Sequence, residues 1–133
     1  MYIRIVSKRA GGVRARAGER VIDVDRSNRV LGNKHVMQAG ADPRGERDRV
    51  IAANAVDLAN DEAVNGPMSR ALDEVAAIVD SGTPVAFQCW CWPLPCHAGN
   101  YQKAVERRLG RSLTPPDCQS PAQEPSMNQG ALF

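Results

Sequence analysis

Apolar and polar positions along the 133-residue chain change period several times, and each change marks an element. Tyr2–Val6 alternates with the period of two expected of a strand. Arg20–Val24, centred on the β-branched pair Val21 and Ile22, is a second strand candidate. Ser7–Gly18 between them is rich in Gly, Arg and Ala and reads as a loop. Arg26–Gly40 is irregular, with Asn28, Gly32, Asn33 and Gly40 as turn formers. A loop of this length inside a small domain commonly carries function.

Asp42 as an N-cap and Pro43 as a first helical residue open a helix over about Arg44–Asn60, with Ile51, Ala55 and Leu58 as its apolar stripe. After Gly66 and Pro67, the residues Met68, Leu72, Val75 and Val79 recur at helical spacing, and Gly82 ends the run. Thr83–Gln88 is a compact apolar run that reads as a buried strand, with Pro84 near its start, where a missing N–H is tolerated. From about His97 to Leu109 the helical period returns, with Tyr101, Val105 and Leu109 on one face and Lys103, Glu106, Arg107 and Arg108 outside. Residues 111–133 hold four of the nine prolines and no apolar period, which predicts a flexible C-terminal tail after a single domain at 1–110. The order of elements predicts a small α/β sheet flanked by helices, in two or three layers.

Composition changes this picture in two places. Hydrophobic residues make up 43% of the chain but aromatics only 5%, so the core is built mainly from Ala, Val, Leu and Ile. A net charge of +2 does not by itself point to nucleic acid. Residues 1–30, however, carry eight basic side chains against Glu19, Asp23 and Asp25, a bias that suits phosphate contacts or, equally, a solvated Arg-rich surface. No apolar run is long enough to cross a membrane, and MYIRIVSKRAGG does not resemble a secretory signal, so a cytoplasmic setting is expected. In a reducing compartment, clustered thiols suggest metal binding or chemistry before disulfides.

Cys89, Cys91 and Cys96 are clustered in the run Cys89–His97, CWCWPLPCH, while Cys118 stands apart. The run sits where the last strand ends and the last helix begins, the place where open α/β sheets bind ligands. Backbone N–H groups at a helix start lower the pKa of a nearby thiol and disfavour an imidazolium. Three readings fit the run. Cys89 and Cys91 can be packing residues, since Cys is often buried. Cys89, Cys91, Cys96 and His97 can be four zinc ligands, although C-x-C and adjacent C-H pairs depart from the usual knuckle spacings. Or Cys96, with Cys89 as the other candidate thiolate, can work beside His97 as a catalytic pair in an organic-ligand site.

A strand followed by C-W-C-x-P-x-x-C-H and a helix resembles the phage and bacterial family known as domain of unknown function 4326. The motif matches at Cys89, Trp90, Cys91, Pro93, Cys96 and His97. Upstream, that family carries I-G-R-P-S-P-x-G-N-P-F. Here Arg26, Ser27, Gly32 and Asn33 fit it, while Asp25 replaces its first glycine and Lys34-His35 replace Pro-Phe. The resemblance spans about residues 20–110. It implies a small Rossmann-like domain in a phage or bacterial setting, hence a bacterial host cytoplasm, and it assigns no activity.

Together these readings predict a site for a small anionic, nucleotide-like ligand, with Arg26, Ser27, Gly32, Asn33, Trp90 and Trp92 as binding residues. Arg26 would hold an anionic group, Asn33 would read a polar edge, and Trp90 or Trp92 would stack. Cys96 and His97 would carry any chemistry, and His35 is expected at the surface, with Lys34 adding to a positive rim. The rival is a non-enzymatic module whose cysteine loop binds zinc or stabilises the fold, acting through a protein or nucleic-acid partner. No P-loop, no G-x-G-x-x-G and no H-x-E upstream of P-C-x-x-C is present.

Overall fold

The computed structural model of the protein describes residues 1–90 and 96–115. Three strands, β1 (Ile3–Ser7), β2 (Arg20–Asp23) and β3 (Val85–Cys89), and three helices, α1 (Pro43–Ala63), α2 (Pro67–Asp80) and α3 (Ala98–Leu109), follow in the order β1-β2-α1-α2-β3-α3. All pairings are parallel and the sheet order is β1-β3-β2, so the last strand is inserted between the first two. The register aligns Ile5, Phe87 and Ile22 across the sheet. Because β3 is central and covered on both faces, Val85, Ala86 and Phe87 are all fully buried, which is why this strand reads as a continuous apolar run and does not alternate.

Helices α2 and α3 pack against the strands, and α1 packs against both of those helices. Ile3, Phe87 and Cys89 from the strands meet Leu58 of α1, Leu72, Val75 and Val79 of α2, and Tyr101 and Val105 of α3 in one core. The α2 spacing is realised residue for residue, since Met68, Leu72, Val75 and Val79 are all buried. In α1 the buried positions are Val50, Asn54 and Leu58, one residue ahead of the stripe that the sequence suggests through Ile51 and Ala55. A polar residue occupies the middle of the stripe and disguises its register. Asn54 is at home there because it donates to the Tyr101 hydroxyl at 3.0 Å and accepts from Asn100 Nδ2 at 3.0 Å.

The corner between α1 and α2 is closed by Asp61, whose carboxylate accepts from the N–H groups of Met68 at 3.2 Å and Ser69 at 2.7 Å, capping α2 from the preceding helix. Gly66 permits this approach, for a Cβ there would lie 2.4 Å from Asp61 Oδ2. Arg108 of α3 then ties the helices together, reaching Glu62 at 2.8 Å and Asp73 at 2.7 Å.

The opposite face of the sheet meets the β1–β2 crossover. Arg4 and Glu19 form an ion pair at 2.7 Å with side chains 3% and 0% exposed. Arg4 also donates to the Arg14 carbonyl, and the Tyr2 hydroxyl and the Arg16 N–H both donate to Glu19. Arg4 foremost, aided by those two donors, outweighs the effect of burial and holds the Glu19 carboxyl at about 2.

At the other end, the tail expected from residue 111 begins as packed chain. Leu113 is 1% exposed within the core, its carbonyl accepts from Ile3 N at 2.9 Å, and its N–H donates to Glu106 at 2.8 Å. The tail's later residues, 116–133, lie outside the described residues, as do Cys91 and Trp92. No described helix is long and apolar enough to cross a membrane.

Candidate functional site

The carboxyl ends of β2 and β3 lie side by side, pinned where Val24 N–H donates to the Gln88 carbonyl at 2.9 Å. Beyond β2 the chain folds into a tight loop around Asn28, whose amide donates to the Asp23 carbonyl and whose Oδ1 accepts from the N–H groups of Val30 and Leu31, each at 2.9 Å. Gly32 closes that loop. A Cβ there would sit 2.6 Å from the carbonyl oxygens of Asn28 and Asp25, so the close approach it allows is to the loop's own backbone. Asn33 is buried and engaged at both ends, donating to the Val50 carbonyl at 3.0 Å and accepting from His35 N–H at 2.9 Å. It fastens the loop to α1. Arg26 spans the loop, donating to the carbonyls of Asn33 and His35 at 3.3 Å each.

Beyond β3, Cys96 and His97 lead into α3. His97 is 7% exposed, and its Nε2 lies 2.7 Å from the Val24 carbonyl and 3.1 Å from the Leu31 carbonyl. Two carbonyl acceptors require that Nε2 carry the proton, which makes Nδ1 the basic nitrogen of the neutral ring. Nδ1 is 3.6 Å from Cys96 Sγ. The same sulfur accepts from Ala98 N–H at 3.3 Å and lies 3.2 Å from Cys89 Sγ. Tyr101 stands edge-on to the imidazole, with ring centroids 5.4 Å apart, and donates to the Leu31 carbonyl at 2.7 Å. Burial above all pushes the Tyr101 hydroxyl up to about 12, so it remains a donor at any ordinary pH.

These two segments face a single cavity of about 410 Å³. Arg26, Ser27, Asn33 and His35 line it from the loop, and Cys89, Trp90, Cys96 and His97 from the other side. Arg47, Val50 and Ile51 of α1, with Met37, complete the wall. Trp90 is 56% exposed. Asp25 adds a carboxylate to the lining. Burial alone would raise its pKa, but the Lys8 ammonium at 2.7 Å and the hydroxyl and N–H of Ser27 outweigh that and hold it at about 2. Asp25 is thus neutralised by the lysine that follows β1.

Of the residues expected to bind a ligand, Arg26, Ser27, Asn33 and Trp90 therefore meet Cys96 and His97 in one cavity, although 70 positions separate Arg26 from Cys96. Gly32 supports the loop from beneath and does not line the cavity. His35, expected at the surface, is on the wall and bonds Asp57 of α1 at 2.7 Å. Arg47 and the apolar α1 face are further lining residues that sequence reading passes over. The one available signal was the i, i+3, i+4 spacing of Arg47, Val50 and Ile51. Of the four residues considered as zinc ligands, Cys91 lies outside the described residues, and no trio of described His, Cys, Asp or Glu side chains is disposed to hold a metal ion.

The sequence model of one protein family, described as Domain of unknown function (DUF4326), matches residues 6–107. No curated protein and no solved structure matches the chain.

Proposed function

The chain belongs to the domain of unknown function 4326 family, and from that premise we propose that it binds a small anionic, nucleotide-like ligand in the cavity between the Arg26–His35 loop and the Cys89–His97 segment. The observation that carries this reading is the convergence of Arg26, Ser27, Asn33 and His35 with Cys89, Trp90, Cys96 and His97 on one cavity, with the guanidinium groups of Arg26 and Arg47 and an indole on its walls. A volume of about 410 Å³ lies in the range that small-molecule sites occupy. Arg26 and Arg47 hold the phosphate or carboxylate, with Ser27 as a further donor. Trp90, Met37, Val50 and Ile51 offer apolar surface to a flat ring. Asn33 shapes the loop and leaves recognition of a polar edge to its backbone and to His35. Cys96 and His97 are the groups for any chemistry, with Nδ1 of His97 receiving the thiol proton. Parallel strands with a cavity at their carboxyl ends also support reading the fold as a small Rossmann-like domain, and two free thiols side by side suit the reducing cytoplasm of a bacterial cell.

Calorimetry with adenosine monophosphate, adenosine and inorganic phosphate tests the reading. The monophosphate is expected to bind at least about tenfold tighter than either fragment, and Arg47→Gln to weaken it by about tenfold or more, the worth of one charge-assisted hydrogen bond. Affinity that is equal for all three probes, or unchanged in both Arg26→Gln and Arg47→Gln, sinks the proposal. The alternative is zinc held by Cys89, Cys91, Cys96 and His97 in a module that acts through a protein or nucleic-acid partner; the 3.2 Å approach of the Cys89 and Cys96 sulfurs supports it, and Cys91, outside the described residues, would have to complete the set. Nδ1 would have to be the ligand atom, since Nε2 faces two carbonyls. Native mass spectrometry of protein purified without chelator separates the two readings, by a bound zinc mass or a retained organic one.

A further inference from the structure

We propose that Cys89 and Cys96 form a redox-active dithiol, which a low-molecular-weight disulfide oxidises through the cavity to an internal disulfide. The inference stands apart from the ligand reading, since it needs the cavity only as a route to Cys96. Their sulfurs are 3.2 Å apart, so closing to the bonded distance of about 2.05 Å asks each to move only about half an ångström. The two thiols differ in access. Cys96 is partly exposed and lines the cavity, whereas Cys89 is 1% exposed at the end of the central strand. An incoming disulfide therefore meets Cys96 first, and Cys89 is placed to resolve the product. Ala98 N–H, donating to Cys96 Sγ at 3.3 Å, steadies negative charge on the attacking sulfur.

The exchange balances in two steps. Cys96 sulfur attacks one sulfur of the external disulfide, forming a mixed disulfide and releasing the first external thiolate, which takes the Cys96 proton. Cys89 sulfur then attacks Cys96 Sγ, forming the internal bond and releasing the second external thiolate, which takes the Cys89 proton. The protein dithiol loses two electrons and two protons, and one disulfide becomes two thiols. Because the resolving sulfur is already in contact, the second step is intramolecular and the mixed disulfide is short-lived. Closing the bridge also removes Cys96 as a nucleophile in the cavity.

The test equilibrates the full chain in buffers of graded oxidised to reduced glutathione, quenches with acid and alkylates. The expected result is loss of two thiols per chain with no glutathione retained, and iodoacetamide labelling at Cys96 slowed by about tenfold or more in the oxidised protein. Chymotryptic cleavage after Trp90 then leaves residues 88–90 joined to residues 91–101, and fragmentation places the bond between Cys89 and Cys96. The same linkage is expected in Cys91→Ser, which distinguishes it from a Cys89–Cys91 bond. Glutathione held stably on Cys96, a bond that requires Cys91, or protection that disappears only when a chelator is added would each overturn the proposal.

Discussion

Two buried polar clusters flank the sheet, and they are built on opposite plans. Under the crossover, Arg4 and Glu19 are fully enclosed and satisfy one another, with Tyr2 and backbone groups filling the remaining positions. At the strand ends, Cys89, Cys96 and His97 are held as firmly, yet they line a cavity and combine two thiols with an imidazole whose basic nitrogen faces sulfur. Burial and hydrogen bonding are common to both. What differs is the direction in which the polar groups look: the first cluster closes on itself and holds a loop to the sheet, while the second presents reactive groups to a space that a small molecule can enter. Burial of polar side chains is thus a poor guide to function until one asks what they face.

The sharpest way to break this contrast is to open the closed cluster. Glu19→Gln leaves the buried Arg4 guanidinium without its carboxylate and is expected to cost about 3–5 kcal/mol in urea unfolding. Iodoacetamide labelling of Cys96 in the folded fraction should remain as in the unaltered protein. A slower or faster Cys96 in that variant would mean that the two clusters are coupled.

Acid should act on the same pair. Glu19 is held at about 2 in the folded chain against an ordinary value of 4.5, so its contribution is present above about pH 4.5 and is lost as pH falls toward 2. The lost stability is on the order of 3 kcal/mol, read as a falling urea midpoint between pH 5 and pH 2. Asp25, also held at about 2, loses its contribution over the same window, and Lys8→Met should flatten the part due to Asp25 alone. Stability that is flat across this window would show that Glu19 is not held by Arg4 as described.

On the cavity side, effects on stability should be smaller and effects on reactivity larger. Tyr101→Phe removes a donor to the Leu31 carbonyl and an acceptor for Asn54, at a cost of about 1–3 kcal/mol in unfolding. Cys96 is expected to react with iodoacetamide at pH 7 faster than Cys118, and His97→Ala to slow it several-fold, about 1 kcal/mol in barrier. Equal rates at Cys96 and Cys118 would make the cluster a packing feature. Arg47→Gln should weaken anion binding by about tenfold or more.

Much of this was legible in one dimension. The period of Met68, Leu72, Val75 and Val79 specified α2, and an apolar run after a break specified β3, because both signals are local and each residue's environment follows from its neighbours along the chain. The strand-to-helix junction that carries Cys89, Cys96 and His97 was legible for the same reason. The α1 register was not, since Asn54 occupies a core position only because Tyr101 and Asn100, more than 40 residues later, supply its partners. His35 gave no local sign of facing a cavity whose other wall is Cys96, and Arg47 gave only its helical spacing to Val50 and Ile51.

The sequence by itself thus determined the elements, their order and the chemistry available at one junction. Tertiary structure alone decided that β3 enters between β1 and β2, which sets the Val24 and Leu31 carbonyls against His97 and selects its Nε2–H form. It also decided that Lys8 neutralises Asp25 and that the sulfurs of Cys89 and Cys96 meet. The physical reason is range. Periodicity and capping act over a few residues, whereas a proton's position on an imidazole depends on acceptors 66 and 73 positions away, brought within hydrogen-bonding distance only when the sheet closes.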